Sequence, residues 1–129
     1  MSYSGCLVFL PPGTTLESVA DWLRLRLDRC QAEISGDAIL FELDDARIRI
    51  LLDRHPCVAE EAAELSERAA GPAAAALRES DQRLEIVPAD PSIDPDTIYN
   101  ALLVAFETLW AMPGSVGLDP FDGEIYCAR

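Results

Sequence analysis

The 129-residue sequence contains no lysine: its ten Lys and Arg positions are all arginine, and they stand against 23 acids and a single histidine. This shortage of positive charge leaves a formal net charge of −13. A field of that sign repels phosphate backbones and anionic headgroups, so neither nucleic acid nor a membrane surface is expected as a partner. Long hydrophobic runs are also missing. The longest apolar stretch with helical character, Ala101 to Phe106, falls far short of the roughly 20 residues that cross a bilayer. The first residues, Met1-Ser2-Tyr3-Ser4-Gly5, lack the basic and apolar regions of a signal peptide, which predicts a cytoplasmic protein. The four cysteines, Cys6, Cys30, Cys57 and Cys127, form no CxxC. A domain of this size needs no covalent staple, so free thiols in a reducing compartment are expected.

Motifs for chemistry are scarce as well. The seven glycines are scattered and form neither GxGxxG nor GxxxxGK[ST], so nothing cradles a nucleotide phosphate. Any histidine-based mechanism must use His55. Its neighbours Asp53 and Cys57 alternate with it, and on an extended strand the three would share one face, as a metal site requires. Pro56 turns the chain there, which predicts a histidine at a helix entry instead. Asp44-Asp45, Glu60-Glu61 and Asp94/Asp96 are paired carboxylates. They fall on turns and polar helix faces, where nothing shifts them into a catalytic range. Asp119-Pro120-Phe121-Asp122-Gly123-Glu124 has three carboxylates but neither the DxDxDG spacing nor the distal glutamate of a calcium loop; a tight turn with glycine at positive φ accounts for it. No catalytic residue, metal ligand or cofactor is therefore expected.

What is present is an ordered series of α and β patterns. Length and an even spread of apolar residues predict one domain over 1–129. Cys6 to Leu10 is an unbroken apolar run ended by Pro11-Pro12-Gly13, as in a central strand covered on both faces. Thr14 and Glu17 form a capping-box pattern, followed by a helical stripe through Leu16, Ala20, Leu23, Leu27 and Cys30. Residues 39–43 and 48–52 alternate about Asp44-Asp45 and predict a hairpin, with Glu42, Arg47 and Arg49 on its wetter face. A helix entered at Pro56 carries Val58, Ala62, Leu65 and Ala69 on one side and Glu60, Glu64 and Glu67 on the other. Gly71-Pro72 breaks it, Ala73 to Arg78 restarts a short helical piece, and residues 83–88 read as a strand. Asp94-Pro95 then opens a long helix reaching about Met112. This helix has a second stripe, Tyr99, Leu103, Phe106 and Trp110, which is either core beneath a terminal hairpin or an exposed interface. The predicted class is α+β: a ferredoxin-like βαββαβ sandwich, two helices on one face of a four-stranded sheet, with an added long helix and a small terminal hairpin.

Charge is unevenly placed along these elements. Over residues 1–32, Glu17, Asp21 and Asp28 are balanced by Arg24, Arg26 and Arg29, so the whole −13 falls after residue 32. In size, in acidity and in the ending Leu118-Asp119-Pro120-Phe121-Asp122-Gly123-Glu124-Ile125-Tyr126, the chain resembles small acidic bacterial immunity proteins of the antitoxin-like kind. That resemblance implies binding and occlusion of a basic toxin or effector, and carries over no individual residue. The residues themselves point to an acidic partner-binding surface of Glu60, Glu64 and Glu67 with Asp90 and Asp94, facing a basic protein. Two alternatives stand beside it: an anionic small ligand held by Arg47 and Arg49, and a structural homodimer.

Overall fold

A computed structural model of the chain describes residues 5–89, 94–119 and 122–128. The elements run β1 (Cys6–Leu10), α1 (Leu16–Arg26), β2 (Gln31–Ser35), β3 (Ala38–Leu43), β4 (Ala46–Asp53), α2 (Cys57–Ser66), α3 (Gly71–Glu79), β5 (Gln82–Pro88), α4 (Pro95–Trp110), β6 (Val116–Leu118) and β7 (Ile125–Cys127). All seven strands join one antiparallel sheet in the order β2-β3-β4-β5-β1-β6-β7.

The period-2 alternation of each strand divides the sheet into two faces. On the inner face Val8, Leu10, Ile39, Phe41, Ile48, Ile50, Leu84 and Ile86 pack against Val19, Ala20 and Leu23 of α1 and Ile98, Leu102, Ala105 and Leu109 of α4. Most of these side chains are fully buried, and each of the buried valines, leucines, isoleucines and phenylalanine contributes about 1.5–3 kcal/mol relative to exposure. The indole N–H of Trp22 donates to the Thr108 carbonyl at 2.7 Å, which ties the two inner helices together. On the outer face Phe9 and Val116 are covered by Val58 and Ala62 of α2 and Ala73 and Leu77 of α3. The alanines of α3 allow its backbone to lie close to β6 and β7. β1 is thus buried on both faces, as its unbroken apolar run requires.

The α+β class holds, but the arrangement departs from a four-stranded ferredoxin-like sandwich. The sheet has seven strands, and its helices lie on both faces: α1 and α4 inside, α2 and α3 outside. One physical reason is the short edge strand β2. Its Ala32 and Ile34 extend the inner face beyond β3, while Gln31, Glu33 and Ser35 are solvated. α1 accordingly stops at Arg26 and does not continue its stripe to Cys30. Its capping box also sits one residue later than the spacing predicts. Thr15 accepts from the Ser18 amide while Ser18 Oγ accepts from the Thr15 amide, and the Thr14 hydroxyl donates to the Pro11 carbonyl at 2.8 Å.

The remaining turns follow their residues. Asp44 and Asp45 both adopt positive φ (48° and 69°) in the two-residue loop between Leu43 and Ala46, the conformation whose twist suits a tight hairpin. Asp94 caps α4 by accepting from the Thr97 amide, with Pro95 at the first helical position. Between Asp119 and Glu124, Gly123 takes φ of 72° and Asp122 accepts from the Glu124 amide at 2.8 Å. No helix among the described residues is long and apolar enough to cross a membrane.

Candidate functional site

The open ground lies on the outer face. α2 and α3 cover it over β1, β6 and β7, and no described element lies over β2, β3 and β4. The register sets the outer-face side chains in rows across the strands: Gln31, Glu42 and Arg47; then Glu33, Leu40, Arg49 and Val87; then Ser35, Ala38, Leu51, Glu85, Leu7 and Leu118. α2 forms the wall of this open floor.

At the wall a largely buried cation organises the junction. Arg83 of β5, whose side chain is 13% exposed, pairs with Glu61 of α2 and, at 3.5 Å, with Asp53 of β4, while its guanidinium lies 5.9 Å from the Phe9 ring centroid. Beside it, between α2 and the sheet, a slot of 280 Å³ has Leu7, Phe9, Leu65 and Leu118 as its apolar floor and Glu61, Glu64 and Arg68 at its rim. Arg68 reaches away towards the β6–β7 turn and donates to the Gly123 carbonyl. Neither this slot nor the role of Arg83 was legible in the sequence, because both depend on where α2 lands. The only local hint was the lone arginine in the otherwise apolar or acidic strand around Leu84 and Ile86.

Of the predicted partner-facing acids, Glu60, Glu64 and Glu67 are all exposed on α2 and follow one another at helical spacings of four and three. Among the described residues none has a cation within ion-pairing distance. Asp94 is not brought to them. It heads α4 on the opposite side of the sheet, and its carboxylate is already engaged by Thr97. Asp90 lies outside the described residues.

Arg47 and Arg49 project from β4 onto the open outer face, in adjacent rows. Arg47 pairs with Glu42 at 3.1 Å and lines a trough of 470 Å³ with Gln31, Glu33 and Leu40, whereas Arg49 does not line it. With two carboxylates against one already paired guanidinium, this trough is poorly built for an anion. Asp53, His55 and Cys57 are joined locally. Asp53 accepts from the His55 amide at 2.9 Å, and His55 Nδ1 accepts from the Cys57 amide at 3.1 Å, an arrangement that starts α2.

The aromatic stripe divides. Phe106 is buried, Trp110 stacks on Tyr126 at 5.5 Å and Phe106 meets Tyr126 edge-on at 5.9 Å, so this part is core beneath the terminal hairpin. Tyr99 alone is exposed, at 53%. All four cysteines are free; burial pushes the Cys6 thiol up to about 11, with help from Asp119 and Asp122, and burial likewise raises Cys30. Comparison of the chain with models of protein families, with curated proteins and with solved structures finds no match.

Proposed function

We propose that this chain is an acidic protein-binding module of the immunity-protein kind, which occupies and occludes a cationic surface on a basic protein. One observation carries this reading: the row Glu60, Glu64 and Glu67 along α2, none of which is ion-paired among the described residues. Like charges at neighbouring helical positions destabilise a helix by about 0.2–0.5 kcal/mol per pair. Glu64 and Glu67 also stand at the C-terminal end of α2, whose last turn has no basic residue, and there the helix dipole disfavours negative charge. The fold therefore carries a charge arrangement that works against its own helix. A cationic partner would relieve both costs, and the long-range field of the −13 chain would speed encounter. Four free thiols fit a reducing cytoplasm.

The test is co-expression with the product of the adjacent gene, followed by association kinetics on the purified pair at several salt concentrations. A stable complex is expected, with an association rate that falls steeply with salt and falls at least tenfold in the triple variant Glu60→Lys, Glu64→Lys, Glu67→Lys. An association rate indifferent to salt and to the triple variant overturns the electrostatic reading. Concentration-dependent self-association in sedimentation, with no complex, replaces it with the homodimer. A complex that forms normally in the triple variant but is lost on Arg47→Ala and Arg49→Ala moves the site to the open sheet.

A further inference from the structure

We infer that the slot between α2 and the sheet is the anchor point for a single arginine or lysine side chain of the basic partner. The inference rests on the reading of the chain as a binder of basic proteins and narrows it to one site. The slot has two unlike parts in the order that a long cationic side chain requires. Its floor of Leu7, Phe9, Leu65 and Leu118 suits an alkyl stem, and its rim carries the carboxylates of Glu61 and Glu64, one helical turn apart, with Arg68 beside them. Amphipathic side chains of this kind lay their methylenes on apolar surface and keep the charged head at the wet edge. At 280 Å³ the space is large enough to admit the side chain of an arginine or a lysine.

Among the described residues, Glu64 at this rim has no cation within ion-pairing distance. Arg83 engages Glu61 through one carboxylate oxygen, Oε2, from beneath. Arg68, one turn beyond Glu64 and the natural partner for it, is turned to the Gly123 carbonyl and forms no ion pair with Glu64. Glu64 is thus the carboxylate left to receive an incoming head group. Anchors of this type, an arginine seated in a partly apolar pocket, dominate many protein interfaces.

The experiment is an NMR titration of the full chain, following the methyl groups of Leu7, Leu65 and Leu118. The probes are N-acetyl-arginine amide, its neutral isostere N-acetyl-citrulline amide, and a hexa-arginine peptide. The arginine amide is expected to shift all three sets of methyl groups saturably, and the citrulline amide to bind markedly more weakly. Glu64→Gln should weaken the arginine amide about threefold, while Glu17→Gln, exposed on α1 across the sheet from the slot, leaves it unchanged. Equal binding of the two amides, or equal effects of the two substitutions, overturns the inference. If hexa-arginine binds with strong salt dependence while the three leucines stay silent, the slot is wrong and the broader reading survives. If hexa-arginine does not bind, both fall.

Discussion

Gly117 stands directly opposite Tyr126 in the β6–β7 ladder, beneath Trp110 and Phe106 of α4. A Cβ at this position would lie 2.8 Å from Trp110 Cβ and 2.9 Å from the Phe106 ring. The absent side chain lets α4 settle onto the terminal hairpin, and the Tyr126 ring fills the remaining space by stacking on Trp110. Gly117→Ala should therefore overpack the junction and cost about 1–3 kcal/mol. Urea unfolding would show this as a lower midpoint at unchanged slope, together with an altered near-ultraviolet signal from Trp110. A midpoint equal to that of the parent chain would mean that α4 and the hairpin are not packed in this way.

The arrangement of α2 predicts an opposite relation between stability and binding. Glu67 is exposed at the C-terminal cap of α2 and is unpaired among the described residues. Glu67→Lys replaces a charge that the helix dipole opposes with one it favours, and should raise stability by about 0.3–1 kcal/mol. The same substitution should slow association with a basic partner. Thermal unfolding at low ionic strength measures the first effect, and the gain should shrink in salt. A loss of stability would show that Glu67 has a structural role and that its charge does not oppose the helix.

Much of the architecture is written locally. β1, the hairpin about Asp44-Asp45, α2 and the capped start of α4 each announce themselves through an unbroken apolar run, a period or a turn residue. β2 does not. Its five residues alternate, but only Ala32 is buried and the helical stripe of α1 runs on towards Cys30, so the two periods overlap. Which face each helix covers is not local at all: α2 and α4 are comparably amphipathic, and only the assembled sheet sends them to opposite sides. The carboxylates of α2 could be named from their spacing. The slot beside them could not, because Leu7, Leu65 and Leu118 come from three elements that meet only in the folded chain. Asp94 failed to join that group for the same reason.

Arg83 holds two acids from different elements, Asp53 and Glu61, with its side chain largely out of water. Arg83→Met keeps apolar contact with Phe9 but leaves the two carboxylates facing each other without their shared cation. This should cost about 1–3 kcal/mol, less than for a fully buried pair because Glu61 is half exposed. Adding Asp53→Asn and Glu61→Gln should recover most of that loss, since neutral partners tolerate the missing charge. Chemical denaturation of the single and triple variants tests this. A triple variant no more stable than Arg83→Met would assign the role of Arg83 to packing alone.

The Cys6 thiol links stability to alkaline pH. Burial, reinforced by the negative charges of Asp119 and Asp122, raises its pKa from 9.0 to about 11 in the folded chain. Because the folded pKa lies above the unfolded one, the protonated thiol favours the fold, and the whole of this contribution is present below pH 9. Between pH 9 and 11 the unfolded chain releases a proton that the folded chain still holds, so stability falls with rising pH. A shift of this size corresponds to about 2–3 kcal/mol lost across that window. Tyr126 is also pushed up, by burial and by neighbouring carboxylates, and adds a loss of the same sign. The clean measurement is therefore the stability difference between the parent chain and Cys6→Ala from pH 8 to 11. The substitution should cost stability at pH 8, through a lost buried contact, and that cost should shrink as the pH rises. A difference that stays flat would mean that Cys6 is accessible and ionises in the folded state as a free thiol does. In that case it would also react with iodoacetamide at pH 8 as fast as the half-buried Cys57 and Cys127, whereas the buried, neutral thiol should lag far behind both.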